Sequence, residues 1–141
     1  MRFVTPKTFL VGYTTIHLQQ LREYLIETGN EDFLGNMKCA DAAAISAGEM
    51  LCSFYAKLCY ASLSEGKNAN VTRIRDIEAN LHSCFDSGHG SVFEHCNLNF
   101  VTTNCSRVFT HEQVRHRVGT AFSQTSGRYV RGSPTSPRPQ P

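Results

Sequence analysis

The stretch that most constrains this chain runs from residue 74 to residue 103, where the apolar spacing changes period across a glycine-rich turn. Ile77, Leu81, Cys84 and Phe85 fall at i, i+4, i+7 and i+8, one face of a helix predicted over residues 74–87. Gly88 follows as its C-terminal stop. Residues 96–103 then alternate, with Leu98 and Phe100 on one side and Asn97 and Asn99 on the other, the pattern of a half-exposed strand. The chain must therefore set a helix and a strand on either side of the segment GHGSVFEH, residues 88–95.

The rest of the chain reads in the same way. Residues 9–15 read as a short strand, and residues 17–28 as a helix with Leu18, Leu21 and Leu25 on one face and Gly29 as its stop. Residues 31–38 read as a loop. Asp41 is placed to cap a long helix over residues 42–63, with Ile45, Leu51, Cys52, Tyr55, Leu58 and Cys59 at helical spacing. Ser106 is placed to cap a further helix reaching Val118, with Val108, Val114 and Val118 inward. Residues 132–141 hold four prolines and no large apolar residue, the composition of a disordered tail.

These features suggest one domain over residues 1–131 and a separate proline-rich tail over 132–141. No run of 18 or more apolar residues exists, so no membrane span is expected, and the N-terminus does not read as a secretory signal. The six cysteines (Cys39, Cys52, Cys59, Cys84, Cys96 and Cys105) form no Cys-x-x-Cys pair. They read as buried thiols in a reducing compartment, which makes a cytoplasmic protein the expectation.

The net charge of +2 hides an asymmetry. Residues 1–106 hold 8 Lys or Arg against 11 Asp or Glu, whereas residues 107–141 hold 6 Arg against the single acid Glu112. Arg115, Arg117, Arg128 and Arg131 follow one another with no acid between them. Charged side chains are almost never fully buried without a partner, so these arginines need water or anions. Thr120, Ser123, Gln124, Thr125 and Ser126 add hydroxyl and amide groups among them. The segment reads either as a solvated basic face or as a site for a phosphorylated, hydrogen-bonding ligand.

Residues 88–95 also admit two readings. Gly88 and Gly90 allow a sharp turn and close approach of a ligand, with His89 and Ser91 suited to phosphate or ribose. The alternative is a plain helix-to-strand turn bearing surface histidines. A metal set of Cys105, His111 and His116, joined by Cys96, His89 or His95, lacks any paired cysteines. His111 and His116 are five apart and diverge on a helix, so no metal site is predicted. Cys105 near Arg107 is the one cysteine considered for an electropositive turn that lowers a thiol pKa, and a core thiol is the favoured reading for it.

Residues 115–129, RHRVGTAFSQTSGRY, resemble the signature of the flavin-dependent thymidylate synthase family. That signature is Arg-His-Arg, two residues, Ser, one residue, Asn, two residues, Ser, one residue, Arg-Tyr. The opening triplet and the closing Ser-x-Arg-Tyr match, and eight residues separate Arg117 from Ser126, one more than in the pattern. Thr120 and Ser123 fill its middle positions only approximately. The upstream GHGSVFEH is similar to the family's Gly-His-x-(Ser/Thr)-x-x-Glu-His element.

The resemblance implies an α+β fold, with an antiparallel or mixed sheet packed with long helices, in a homotetramer whose sites are shared between subunits. It implies a transferase that reductively methylates dUMP to dTMP, with methylenetetrahydrofolate giving the carbon, FAD carrying the hydride and NADPH reducing the flavin. Carried over, His89, Ser91, Arg115, His116, Arg117 and Gln124 are the FAD candidates. Glu112, Arg115, Gln124, Thr125, Ser126, Gly127 and Arg128 are the dUMP candidates. No catalytic residue is assigned, because hydride chemistry belongs to the cofactor.

Two departures stand out. Glu112 occupies a position where the family has Gln, and a carboxylate there repels phosphate unless an Arg pairs with it. The family also continues well past the Arg-Tyr, so residues 132–141 are expected to lie outside family sequence, in a truncated or frame-shifted product. Two rival readings are a nucleic-acid-binding module on the Arg-rich stretch and a non-catalytic, oligomerising relative. The first has only Phe109, Phe122 and Tyr129 to stack bases.

Overall fold

Two caps set where the best-packed helices begin. Ser46 and Glu49 form a capping box: the Ser46 hydroxyl accepts from the Glu49 N–H at 3.3 Å, and the Ser46 N–H donates to the Glu49 carboxylate at 2.7 Å. These bonds hold the Glu49 carboxyl below its ordinary value. The Asp76 carboxylate accepts from the Ala79 N–H at 2.7 Å and starts the next long helix in the same way.

The computed structural model describes residues 5–42, 45–126 and 128–129. In chain order these form β1 (Lys7–Tyr13), α1 (Leu18–Glu27), α2 (Asp32–Ala42), α3 (Ala47–Cys59), α4 (Ile77–Asp86), a 3-10 turn (Gly90–His95), β2 (Leu98–Thr103) and α5 (Arg107–Gln113). Strands β1 and β2 pair into one antiparallel two-stranded sheet, so helices and strands together are compatible with an α+β class. No helix among the described residues is long and apolar enough to cross a membrane.

The chain divides into two compact units, Gly12–Leu98 and Met1–Val11 with Asn99–Pro141. The larger unit holds the core: Leu21 and Leu25 of α1, Phe33 and Met37 of α2, Met50 and Phe54 of α3, Leu63, and Ile77 of α4. Phe54 meets three rings, Tyr24 at 5.8 Å, Phe33 at 5.7 Å and Tyr55 at 5.0 Å between centroids. Helix α3 packs most extensively against α4 and the 3-10 turn.

Among the described residues, the smaller unit has no such core. On β1 and β2 nearly every described side chain is exposed. Thr8 and Thr102 hydrogen-bond across the strands at 3.1 Å, which fixes their shared face. Alternation then places Leu10 and Phe100 on that face, and Phe9, Val11 and Val101 on the other. Both faces of the pair therefore present exposed apolar groups.

Several expectations need correction. Residues 31–38 are not a loop, since Asp32 opens α2 and Phe33 and Met37 are buried. Asp41 lies inside α2, and the long helix expected over 42–63 is replaced by α2 and the 13-residue α3. Leu58 and Cys59 face outward instead of joining the apolar face. Helix α4 starts at Ile77, three residues later than expected, and Phe85 is 74% exposed. Leu98 and Phe100 are both exposed, so β2 has no buried side. Helix α5 is capped by Ser106 as expected but ends at Gln113, leaving Val108 exposed and Val118 91% exposed. The residues 132–141 lie outside the described residues.

Gly48 is required by packing. A Cβ built there would overlap the Cys96 Sγ and lie 3.3 Å from the Cys96 Cβ, so α3 approaches the end of the 3-10 turn through a bare backbone. Gly48→Ala gains helix propensity of about 1 kcal/mol but incurs overpacking of about 1–3 kcal/mol. We expect a net loss of roughly 1 kcal/mol, measured by urea unfolding, and recovery of that loss in the Gly48→Ala/Cys96→Ala double variant. Equal stability of Gly48→Ala and wild type would show that the close approach is not obligatory.

Candidate functional site

In the larger unit, the helix-to-turn junction is built from Gly88, at φ +70°, which closes α4. The His89 N–H donates to the Cys84 carbonyl at 2.9 Å, and the 3-10 turn follows at once. This carries His89 and Ser91 to the surface, where, among the described residues, neither side chain has a protein hydrogen-bond partner. The His89 ring lies parallel to Tyr60, with centroids 6.2 Å apart and an 11° interplanar angle. His89 and Tyr60 also form one wall of a cavity of about 310 Å³. His95 is stacked on Tyr55 at 3.9 Å, and Cys96 is packed toward Gly48. Among the described residues, no three His, Cys, Asp or Glu gather in a metal-binding group.

In the smaller unit, α5 delivers Glu112 and the Arg-His-Arg triplet. Arg115 pairs with Glu112 at 3.4 Å, one turn apart, with both side chains exposed. This contact gives the Glu112 carboxylate an arginine partner. Past Val114 the chain leaves the helix; Gly119 at φ +68° turns it, and the Thr120 hydroxyl donates to the His116 carbonyl. The Arg107 guanidinium donates to the Thr125 carbonyl at 2.5 Å, anchoring the far side of the loop to the start of α5. The Ser126 hydroxyl accepts from the Arg128 N–H at 3.2 Å, and the Tyr129 N–H donates to the Ser126 carbonyl at 3.3 Å.

The result is a loop pinned by backbone contacts, with His116, Arg117, Gln124, Thr125 and Arg128 exposed. Its donors are guanidinium, amide and hydroxyl groups, which suit phosphate and nucleobase edges. That donor set fits the phosphates of FAD and of dUMP. Gly127 and Arg131 lie outside the described residues.

The thiols are only partly as expected. Cys52 and Cys84 are buried, and burial pushes both thiols up from their ordinary value. Cys96 and Cys105 are half-buried and Cys59 is exposed, so the reading of uniformly buried thiols is corrected.

The comparisons place the chain. A family model described as Thy1, thymidylate synthase complementing protein, matches residues 42–139, a span that includes most of the proline-rich stretch. The chain belongs to that family of flavin-dependent thymidylate synthases. It is 39% identical over 75 residues to the flavin-dependent thymidylate synthase of Geobacter sulfurreducens, covering 53% of this chain and 32% of that protein. It is 41% identical over 59 residues to that of Pyrococcus horikoshii, covering 42% and 24%. It is 35% identical over 99 residues to that of Mycobacterium avium, covering 70% and 38%. The chain thus spans well under half the length of these relatives. No solved structure matches it significantly.

Lys57 of α3 carries no signal of its own in the sequence. It is 2% exposed, and its ammonium lies 5.6 Å from the centroid of the Phe33 ring and donates to the Arg75 carbonyl. Burial pushes its pKa down to about 8, with Asp76 opposing the shift and Arg75 reinforcing it. Between pH 8 and the ordinary 10.5, the unfolded chain binds the proton that the folded chain has released. Lys57 therefore makes stability rise with pH across that window and fall as pH drops through 8. Lys57→Met should remove this part of the slope, read as the wild-type minus variant difference in denaturant midpoint from pH 7 to 10.5. A difference that stays flat over that range would show that Lys57 is not desolvated in solution.

Proposed function

We propose that this chain carries the FAD- and dUMP-binding part of an enzyme that reductively methylates dUMP to dTMP, using methylenetetrahydrofolate and NADPH. The observation that carries this reading is the exposed, pinned loop of Arg115, Arg117 and Arg128 inside the span matched by the family. The names of the relatives support the same activity.

Bound FAD supplies the hydride chemistry. The protein's share is to bind, orient and polarise. In the smaller unit, Arg115, His116, Arg117 and Gln124 hold FAD. The dUMP phosphate falls to Ser126, Gly127 and Arg128, with Glu112, Arg115, Gln124 and Thr125 beside the nucleotide. In the larger unit, His89 and Ser91 are the flavin-facing candidates. Arginine beside the pyrimidine stabilises negative charge developing on it. Glu112 keeps Arg115 oriented through their ion pair while limiting its free positive charge.

Purified protein titrated with FAD is expected to take it up, and the flavin absorbance should shift on adding dUMP. Arg128→Ala should weaken dUMP roughly 10- to 100-fold, the range for losing a charge-assisted hydrogen bond. Glu112→Gln should tighten dUMP binding, because one repelling charge is removed. Protein that cannot take up FAD, or Arg128→Ala with unchanged dUMP affinity, would overturn the site assignment.

The assembly we propose is a homotetramer with shared sites. It is supported by the apolar groups left uncovered on both faces of β1 and β2. A lone two-stranded pair is marginal in water, and exposed apolar patches mark interaction surfaces. Sedimentation equilibrium should give a mass four times the 15.7 kDa chain, and Phe100→Glu should dissociate it. A monomer at micromolar concentration would count against the assembly.

A further inference from the structure

The cavity of about 310 Å³ beside His89 is built from the end of α3, residues 70–75 and α4, all within the larger unit. Three of its lining residues are cations, Lys57, Arg73 and Arg75, and none is a carboxylate. Among the described residues, none of these three cations has an ion-pair partner. Asp76 is the adjacent acid, and its carboxylate is engaged in capping α4 at Ala79. The Arg75 guanidinium donates to the Ser83 hydroxyl at 3.3 Å, which holds it along the α4 side.

We propose that this cavity is a second anion site, distinct from the Arg115–Arg128 loop, that takes the phosphate group of a small phosphorylated molecule on Lys57, Arg73 and Arg75. Lys57 forms its base. An ammonium has three donors, and the Arg75 carbonyl accepts one of them. A buried charge whose nearest acid, Asp76, acts only at a distance is costly, so an anion that completes the remaining donors is favoured there. Burial also lowers the Lys57 pKa to about 8, and a bound phosphate would raise it again. Arg73 and Arg75 are exposed at the mouth, where guanidinium groups can meet phosphate oxygens in pairs. Their place in the sequence is outside both motifs that carry the family resemblance. The volume leaves room for more than a bare anion, and the stacked Tyr60 and His89 rings offer the organic part an apolar wall.

The test is isothermal titration of the protein with inorganic phosphate and, separately, with ribose 5-phosphate. Saturable binding is expected at a site that Arg73→Gln/Arg75→Gln weakens at least about tenfold, while Arg117→Gln/Arg128→Gln removes binding at the loop and leaves this site in place. Both pairs are surface substitutions, and circular dichroism checks that each variant is folded. Tighter binding of ribose 5-phosphate than of phosphate assigns the site to a phosphate ester, and equal binding assigns it to the free anion. Absence of saturable binding, or binding lost only with the Arg117/Arg128 pair, overturns the proposal. The second outcome leaves the flavin and dUMP reading untouched, and loss of FAD binding alone leaves this one untouched.

Discussion

Phe54 is in ring contact with Tyr24 from α1, Phe33 from α2 and Tyr55 from its own helix, and the larger unit is organised around that contact. Aromatic pairs at these distances add to the burial of area alone. With one face of α3 committed to Phe54 and Met50, the other residues of the helix have fixed neighbours. Gly48 is brought against Cys96, Ser53 donates to Asn80 at 2.9 Å, and Lys57 is drawn under the 70–75 segment. The 3-10 turn is thereby packed on α3, and His89 at its start inherits a defined backbone position. Packing in the core thus determines where a surface histidine sits.

The smaller unit follows a different logic. Its helix α5 is seven residues long and has no buried member, so little tertiary packing supports it. What shapes the loop is hydrogen bonding to the backbone: Arg107 to the Thr125 carbonyl, Thr120 to the His116 carbonyl, and Arg128 to the Ser126 hydroxyl. Such a loop leaves the guanidinium groups of Arg117 and Arg128 exposed to meet a ligand and leaves its apolar side chains in need of a covering surface. Both properties suit a segment that works in an assembly.

The sequence spoke most clearly where period and cap agreed. Gly88 as the stop of α4, His17 to Thr28 around α1 and the Ser106 cap were all legible. Helix α2 was hidden because Gly35 and Asn36 resemble turn residues, while its signal was only the pair Phe33 and Met37 at i, i+4. Ser46-x-x-Glu49 was a capping box in plain view, but Asp41 before an alanine run competed with it. The end of α5 was not legible, since Val114 and Val118 extend the apolar pattern past Gln113, yet Val114 is only half-buried and Val118 is 91% exposed. For the site, the charge count found the arginine loop, but nothing in the residue order revealed that Lys57 turns inward. Its neighbours in space, Phe33 and Arg75, are far from it in sequence.

The cations therefore fall into two electrostatic settings that respond differently to a ligand. Those of the loop are solvated, and at physiological salt their mutual field fades over about 8 Å, so they act chiefly through direct contact. Glu112 matters there because it is in direct contact with Arg115. Lys57 has already lost its water, and folding has borne that cost. An anion that reaches it faces a lower effective dielectric and a donor that needs no further desolvation. The same buried charge that lowers the stability of the unliganded fold is thus the one that gains most from a counter-charge. A lysine buried over the Phe33 ring at some expense to folding is easier to understand as part of a binding surface than as part of a core.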